Sequence, residues 1–383
     1  MLNPATPAFE DGAGPAAAEA ESLRVAVVSD AAAERNGVGT YYHDLVQHLR
    51  GRVDRAELFC PRGAATGLQR YLTPPLPGDG SQRIWWPPAV TLWRRLAAIR
   101  PHALIVPTPG PYGLLGLLAA RRLRIPLIVG FHTHLEALTD IYWSDRWGRF
   151  CRWYLESCHR LLFRHGEVVL VNSAEIGATA RDLGARSVEL MGTPIAREFL
   201  DRPHAPLRPD LERVLFAGRL APEKNIEGVI ALARACPDLE VAIVGEGPLN
   251  DRVAAAAREL HNLRFEGWVS RGELIGRLDR TDLLLLPSHV ESFGTVALEG
   301  MARGRAVLVS GRCGIADWPD LRRGVFRIAD DESIVDAVRR VRGLPAAARR
   351  ERGRRAYLAA SRLNEWNLGS WLDRLRRART PKI

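Results

Sequence analysis

The sequence is poor in cysteine, methionine and lysine, and it contains no long apolar run. Its five cysteines are scattered, odd in number and show no Cys-x-x-Cys spacing, so the sequence gives no support to a disulfide framework or a zinc site. The best candidate for a membrane span, residues 114–131, is interrupted by arginines and falls short of the roughly 20 apolar residues that a span requires. These absences predict a cytoplasmic chain that does not cross a membrane.

The N-terminal residues 1–21 lack the basic start and apolar stretch of a signal peptide, and their composition predicts a disordered tail. The full length of 383 residues exceeds what one hydrophobic core usually supports, so we expect two domains. The formal net charge of +10 is carried almost wholly by arginine. It favours a phosphate-bearing substrate, an anionic membrane or nucleic acid as partner, although a codon bias toward arginine explains the composition equally well.

Short apolar runs alternate with segments of helical spacing, and this alternation predicts parallel, doubly wound sheets. The predicted strands are 23–29, 103–106, 127–129 and 167–171 in the first half, and 213–217, 240–244, 263–265, 283–286 and 306–309 in the second. Residues 192–209 contain four prolines and lose this pattern, which indicates a linker. We therefore predict Rossmann-like domains over 22–195 and 205–363, with a cleft between them for a ligand. A helix over 364–383 is expected to pack back on the first domain.

A glycine and two cations follow the predicted strand 213–217. The segment LFAGRLAPEKNIEGVI, residues 215–230, places Gly218, Arg219 and Lys224 between a strand and a helix. Cations and helix-entry amides at the end of a parallel strand suit a diphosphate, whose charge must be neutralised inside a cleft. Taken alone, cations such as Arg219 and Lys224 are more commonly solvated loop residues.

Two acids, Glu291 and Glu299, follow the predicted strand 283–286 in LLLLPSHVESFGTVALEGMARG. Carboxylates accept hydrogen bonds from sugar and ribose hydroxyls, and the amides at a helix entry meet phosphate or sugar oxygens. Four residues form that entry: Ser292, Phe293, Gly294 and Thr295. A paired-acid glycoside hydrolase is the rival interpretation, but a hydrolase needs no diphosphate cradle.

Four motifs of the second half resemble family 4 glycosyltransferases of the GT-B fold. They are GRLAPEKN (218–225), VGEGP (244–248), FEGWVSRGEL (265–274) and PSHVESFGTVALEGMARG (287–304). The resemblance implies that Arg219 and Lys224 grip the donor diphosphate and that Glu299 holds the ribose. It places Glu291 at the hydroxyls of the donor sugar. The further donor-binding positions that it implies are Gly218, Gly245, Gly267, Trp268 and Val269, the last three beside the nucleobase, and Ser292, Phe293, Gly294 and Thr295. For Trp268, burial in the core is the alternative.

The first half resembles the same family less closely. NGVGTYYHDLVQHL, from residue 36, matches the glycine loop that approaches the donor phosphates, with Gly37, Val38 and Gly39 as donor-binding residues. The alternative is that these glycines form an ordinary turn before a helix. GFHTHLEALTDIYW, residues 130–143, is similar to the HT segment of the lipid-directed, mannosyltransferase-like and sulfolipid-synthase-like branch. It implies His132 as a catalytic residue and His134 as a donor-binding competitor, although a histidine after a strand is usually structural.

The resemblance implies a retaining transfer of a sugar from a nucleoside diphosphate sugar, a UDP- or GDP-sugar, to an acceptor hydroxyl. No cofactor or metal is expected, since no DxD-like pair is present and the leaving group is served by Arg219 and Lys224. The alternatives are a sugar-nucleotide epimerase or hydrolase of the same architecture, and a non-catalytic sugar-nucleotide binding protein. A nucleic-acid binder has only the net charge in its favour, because no recognised module is present.

Two stretches mix arginine with aromatic residues, RIWWPPAVTLWRRLAAIR (83–100) and RWGRFCRWYLESCHRLLFR (146–164). This pairing is typical of interfacial helices. It favours a lipid-linked or glycolipid acceptor, so the expected acceptor is either a sugar or a lipid. We therefore expect peripheral contact with an anionic membrane, at the inner face of the plasma membrane. Amphipathic helices that pack on the N-terminal sheet, with solvated arginines, explain each stretch equally well.

Overall fold

A computed structural model describes residues 21–33, 37–61, 73, 75–76, 79–132 and 146–379. Contacts divide these residues into two units. The N-terminal unit contains the described residues up to Pro194 together with those from Glu365 onward, and the C-terminal unit is Ile195–Asn364. Within the described ranges, no helix is both long enough and apolar enough to cross a membrane. The predicted tail, 1–21, lies outside them except for its last residue.

The N-terminal unit is built on a parallel sheet. Its strands are β1 (Glu21–Val28), β2 (Val53–Phe59), β5 (Ala103–Val106), β6 (Leu127–Phe131), β7 (Val168–Val171) and β8 (Val188–Leu190), while β3 (Pro75–Leu76) and β4 (Asp79–Arg83) form a separate antiparallel pair. The sheet order is β2-β1-β5-β6-β7-β8. The helices are α1 (Gly37–Leu49), α2 (Ala89–Ile99), α3 (Pro111–Leu123), α4 (Arg146–His165) and α5 (Ala174–Asp182).

Alternate residues of this sheet face two separate cores, because side chains alternate across a strand. Helices α2 to α5 pack on one face through residues such as Leu96, Leu117 and Phe163. Helix α1 packs on the other face, where the core also contains Trp371 and Leu375 from the end of the chain. Both faces are therefore covered, as a parallel sheet requires.

The C-terminal unit repeats this architecture. Its strands are β9 (Arg213–Ala217), β10 (Glu240–Val244), β11 (Leu263–Gly267), β12 (Leu283–Leu286), β13 (Ala306–Val309) and β14 (Phe326–Arg327). They are parallel, in the order β11-β10-β9-β12-β13-β14. The helices are α6 (Arg197–Asp201), α7 (Ile226–Ala235), α8 (Asn250–Glu259), α9 (Arg271–Arg280), α10 (Thr295–Ala302), α11 (Pro319–Arg322), α12 (Ile334–Arg342) and α13 (Ala346–Arg379).

The predicted α/β class, with two doubly wound parallel sheets, is confirmed, and all nine predicted strands are present. Five of the described strands have no counterpart in the sequence-based assignment: β2, β8 and β14 of the two parallel sheets, and the antiparallel pair β3 and β4. The last helix begins at Ala346 rather than near residue 364. Its residues up to Asn364 belong to the C-terminal unit, and those from Glu365 belong to the N-terminal unit. A short helix, α6, lies within the predicted linker.

Candidate active site

The order of the C-terminal strands defines a point at which the direction of winding reverses. Strand β9 has β10 on one side and β12 on the other, so the chain leaves β9 toward one edge of the sheet and later returns to its opposite side. Ligands of open α/β sheets bind at the carboxyl ends of the strands that flank such a point. The loops after β9 and β12 contain both predicted constellations, so the candidate site lies here.

Glycines allow the backbone loops after β9 and β10 to touch. Gly245 follows β10 with φ +137°, and a Cβ on it would lie 1.8 Å from the carbonyl oxygen of Gly218. The amide of Leu220 also donates to the carbonyl oxygen of Glu246, at 3.0 Å. Because no side chain fits between these backbones, glycine is required at 245 by packing alone. Its predicted contact with the donor stays a prediction.

Lys224 and Glu291 link the loops after β9 and β12. The lysine Nζ lies 2.6 Å from Glu291 Oε2, and the two side chains are 20% and 17% exposed. Burial alone would lower the pKa of Lys224, but the charge and hydrogen bond of Glu291 raise it above the ordinary lysine value. Lys224 is therefore a charged ammonium group in a largely desolvated position. It ends a 3-10 turn, Pro222–Lys224.

Arg219 is also fixed by an acid from its own loop. Its Nη1 lies 3.2 Å from Glu223 Oε1, and the Glu223 side chain is 4% exposed. The carbonyl oxygen of Glu223 accepts a hydrogen bond from the amide of His289, at 2.8 Å. Two cations and two acids are thus gathered where the loops meet. Such an arrangement holds positive charge in place for a polyanion, whose phosphates would compete with the acids for both cations.

Glu299 lies in the second turn of α10 and is buried, with its side chain 8% exposed. Its Oε1 is 3.1 Å from Arg271 Nη2. The helix starts at Thr295, and Gly294 caps it in the left-handed conformation, φ +94°. A Cβ at Gly294 would lie 2.7 Å from the Cys313 Sγ. The helix entry is therefore held tightly against the loop that follows β13.

The remaining predicted residues of this unit differ in exposure. Phe293 is 2% exposed, and its carbonyl oxygen accepts a hydrogen bond from the amide of Ile315. Gly267 ends β11 with φ +67°. Trp268 follows it and is 47% exposed, so the alternative that this tryptophan is a core residue is excluded. Ser292 and Val269 are partly buried.

His132 directly follows β6 and is buried. Its Nε2 lies 2.8 Å from the Tyr42 hydroxyl oxygen, and its ring is 4.5 Å from that of Tyr41. Burial lowers the pKa of His132 to about 3, so the imidazole is neutral near pH 7. A neutral ring held by a phenol is suited to hydrogen bonding rather than to charge neutralisation.

The other predicted residues of the first half are Gly37, Val38 and Gly39, together with His134. The structure places the first three in the opening turn of α1 rather than in a loop, and their contact with the donor phosphates stays a prediction. Asn36 and His134 lie outside the described residues.

Asp30 occupies the corresponding reversal point of the N-terminal sheet, between β1 and β5. Its carboxylate accepts hydrogen bonds from the Thr108 hydroxyl and from the amides of Tyr112 and Gly113 at the start of α3. Burial raises its pKa, and these hydrogen bonds oppose the rise. The positive end of α3 is thus neutralised by the protein itself.

Sequence reasoning did not identify Glu223, Arg271, Tyr42 or Asp30. Glu223 is the acid of the EK pair in GRLAPEKN, and its position four residues after Arg219 could have indicated it. The partners of the other three lie far away in the sequence. Tyr42 and His132, for example, are separated by 90 positions, and no local pattern reports such a contact.

The chain is similar in sequence to two proteins described here, and similar in fold to a third. It is 25% identical over 267 residues to the sulfoquinovosyl transferase of Arabidopsis thaliana, across 64% of this chain and 50% of that protein. It is 33% identical over 147 residues to the GDP-mannose-dependent alpha-(1-6)-phosphatidylinositol dimannoside mannosyltransferase of Mycobacterium tuberculosis, across 37% of this chain and 38% of the relative. The matched regions thus span half or less of these relatives.

The fold is similar to that of HepE from Anabaena, whose structure was solved in complex with UDP-glucose. The TM-score is 0.66 at 14% identity, across 92% of this chain and 99% of the other. Two family models also match: the glycosyl transferase 4-like domain at residues 36–194 and the glycosyl transferases group 1 domain at residues 199–355. The chain therefore belongs to the GT-B glycosyltransferases that join a 4-like domain to a group 1 domain.

Proposed function

We propose that this protein is a retaining glycosyltransferase that takes its sugar from a nucleoside diphosphate sugar. The observation that carries the proposal is the buried Lys224–Glu291 pair at the reversal point of the C-terminal sheet. The Lys224 ammonium and the Arg219 guanidinium are two fixed cations at the point where such sheets bind nucleotides. The HepE complex with UDP-glucose and the GDP-mannose dependence of the mycobacterial relative support the donor class.

In this reaction the bond from the anomeric carbon to the diphosphate breaks while a bond to the acceptor oxygen forms on the same face. The acceptor proton passes to the departing phosphate oxygen. Lys224 and Arg219 would stabilise the charge that develops on the diphosphate, which is the main electrostatic requirement of the step. Glu291 and Glu299 would accept hydrogen bonds from hydroxyls of the donor. We propose that the step needs no metal ion.

A panel of UDP-, GDP- and ADP-sugars tests the donor site by thermal shift. We expect at least one of them to raise the melting temperature, because a ligand at 100 times its Kd adds about 2.7 kcal/mol to the folded state. The shift should persist in EDTA. If no sugar nucleotide raises the melting temperature, the proposal is wrong. Consumption of the donor without any acceptor would instead favour the epimerase or hydrolase, and binding without turnover would favour a binding protein.

We further propose that the N-terminal unit docks on an anionic membrane and receives a lipid-linked acceptor there. Helices α2, α3 and α4 are neighbours and share one inner core. Their outer side and the segment before α2 contain every exposed large hydrophobic residue among the described residues of this unit: Trp86, Val90, Leu118, Phe150, Trp153, Tyr154 and Leu161. The phosphatidylinositol dimannoside acceptor of the mycobacterial relative belongs to the same acceptor class.

The positive charge of helices α2, α3 and α4 is complementary to an anionic membrane surface. Exposed arginines are present on all three helices: Arg94, Arg95, Arg121, Arg122, Arg149, Arg160 and Arg164. The same helices contain one acid, Glu156, which pairs with Arg160. Arg95 pairs with Glu57 of β2 at 2.8 Å. Exposed aromatic rings beside arginines are the composition of helices that lie in a lipid interface, and lipid phosphates would neutralise the other arginines of this set.

Co-sedimentation with vesicles tests this surface. We expect the full chain to bind phosphatidylglycerol vesicles at low salt, and to bind phosphatidylcholine vesicles much less. Phe150→Ser with Trp153→Ser should lower the bound fraction several-fold, because two exposed aromatic rings are lost from the interface. Leu358→Ser, which changes an exposed residue of the C-terminal unit, should bind as the wild type does. Equal binding by both variants would contradict the proposed surface.

A further inference from the structure

Arg271 connects the loop after β11 with the acid of α10. Its side chain is 17% exposed, and its Nη2 lies 3.1 Å from Oε1 of Glu299, which is 8% exposed. The two residues are 28 positions apart and stand on different helices, both of which begin at the carboxyl edge of the C-terminal sheet. The guanidinium therefore holds one oxygen of a carboxylate that is almost completely removed from water.

Two features fix the position of the arginine itself. It is the first residue of α9, whose start is closed by a capping box between Ser270 and Glu273. Its guanidinium carbon also lies 5.6 Å from the ring centroid of Phe199, within the range of a cation–π contact. With its backbone capped and its head packed on a ring, Arg271 has little freedom to release Glu299 or to turn it.

We propose that Arg271 is a positioning residue that orients the Glu299 carboxylate toward the ribose hydroxyls of the donor nucleotide, and so makes the site select ribonucleotides over 2′-deoxyribonucleotides. This inference rests on the proposed function, because it requires a nucleotide at this site. It adds to that function a residue that determines specificity for the ribose of the nucleotide and that acts through Glu299.

The chemistry follows from the lone pairs of a carboxylate. Each carboxylate offers about four acceptor positions over two oxygens, so a contact with Arg271 and hydrogen bonds from two ribose hydroxyls are compatible on one carboxylate. A carboxylate that is held at one oxygen presents the other in a fixed direction, which lowers the entropy lost when a ribose binds. A 2′-deoxyribose would leave a buried carboxylate without one hydrogen bond, and an unmet hydrogen bond at a charged, buried group is expensive.

Binding of nucleoside diphosphates and their 2′-deoxy counterparts to the full-length protein tests the inference, with UDP, GDP and ADP as probes. We expect the wild type to bind the ribonucleotide about tenfold more tightly than the deoxy form. Arg271→Met should reduce that ratio to about twofold, because the carboxylate loses the guanidinium contact that directs it. Arg271→Lys, which keeps a donor and a charge but loses the planar geometry, should preserve part of the ratio.

A double-mutant cycle separates positioning from a general loss of structure. In a Glu299→Gln background, Arg271→Met should change the ratio no further, since the group through which the arginine acts is already altered. Arg342→Met is the matched control, because Arg342 pairs with the surface residue Asp238 before β10, at the opposite edge of the sheet. It should keep the wild-type ratio.

An unchanged ratio in Arg271→Met, or additive effects in the cycle, would overturn the positioning role while nucleotide binding itself remained. If the wild type bound none of the six nucleotides, the proposed function would fall and the inference with it. The two failures are therefore distinguishable in one set of titrations.

Discussion

Replacing Lys224 with alanine is expected to lower the rate of donor consumption by about 10²- to 10³-fold, the usual loss when one donor to a developing anion is removed. Lys224 is a charged group in a largely buried position, 2.6 Å from Glu291. A preorganised charge in such surroundings stabilises the departing diphosphate without any rearrangement of solvent. The measurement is the initial rate of nucleoside diphosphate release from the donor that the thermal-shift panel identifies.

The stability of the Lys224→Ala protein should change far less than its turnover. The carboxylate that loses its partner, Glu291, is still 17% exposed and keeps access to water. Arg342→Ala, which breaks a surface ion pair in the same unit, serves as the matched control and should leave the rate unchanged. If turnover is unaffected in Lys224→Ala, this lysine is not part of the site.

Replacing Arg303 with methionine is expected to lower the free energy of unfolding by about 3–5 kcal/mol, because several carbonyl groups around the buried guanidinium lose their donor and each unmet buried group costs about 1–3 kcal/mol. Arg303 is fully buried and makes a two-pronged contact with Asp279, at 2.9 Å to each oxygen. It also donates to the carbonyl oxygens of Phe199, Arg202 and Pro203. Methionine fills similar volume but donates nothing, so one carboxylate and three carbonyl groups lose their donor.

Urea unfolding followed by circular dichroism measures this loss. Arg323→Met is the control, because Arg323 is 77% exposed and lies 3.9 Å from Asp320, and exposed pairs of this kind contribute about 0–1 kcal/mol. A shift in Arg303→Met no larger than in the control would show that the carbonyl groups find other partners. The arginine would then be dispensable for the segment between α6 and β9.

The strands that could be predicted are those with uninterrupted apolar runs. Leu283–Leu286 and Arg213–Ala217 are covered on both faces by helices, so nearly every position is apolar. Strand β2, Val53–Phe59, contains charged residues at exposed and partly exposed positions, and β14 has only two residues. Neither shows the apolar run or the regular alternation of apolar and polar residues that predicts a strand. The first half of the last helix is rich in arginine, so its apolar spacing is weak and its start at Ala346 was not apparent.

Only those parts of the candidate site that leave a local pattern in the sequence could be predicted. A glycine and cations after one strand, and acids after another, indicate two loops at the same edge of a sheet, and the structure joins those loops through Lys224 and Glu291. The contact of Arg271 with Glu299 and that of Tyr42 with His132 depend on tertiary packing. Side chains that meet in this way leave no spacing in the sequence by which they could be recognised.

The division of the last helix between the two units has a consequence for biosynthesis. Trp371 and Leu375 belong to the N-terminal core, and the indole nitrogen of Trp371 donates to the Tyr41 hydroxyl. During translation, all of Ile195–Asn364 is made before these residues appear, so the first half of the nascent chain must wait with one face of its sheet incompletely covered. The C-terminal unit is one continuous stretch, Ile195–Asn364, and all of it is made before Trp371 and Leu375. The N-terminal unit is therefore the later of the two to receive all the residues of its core, which reverses the usual order in which domains mature.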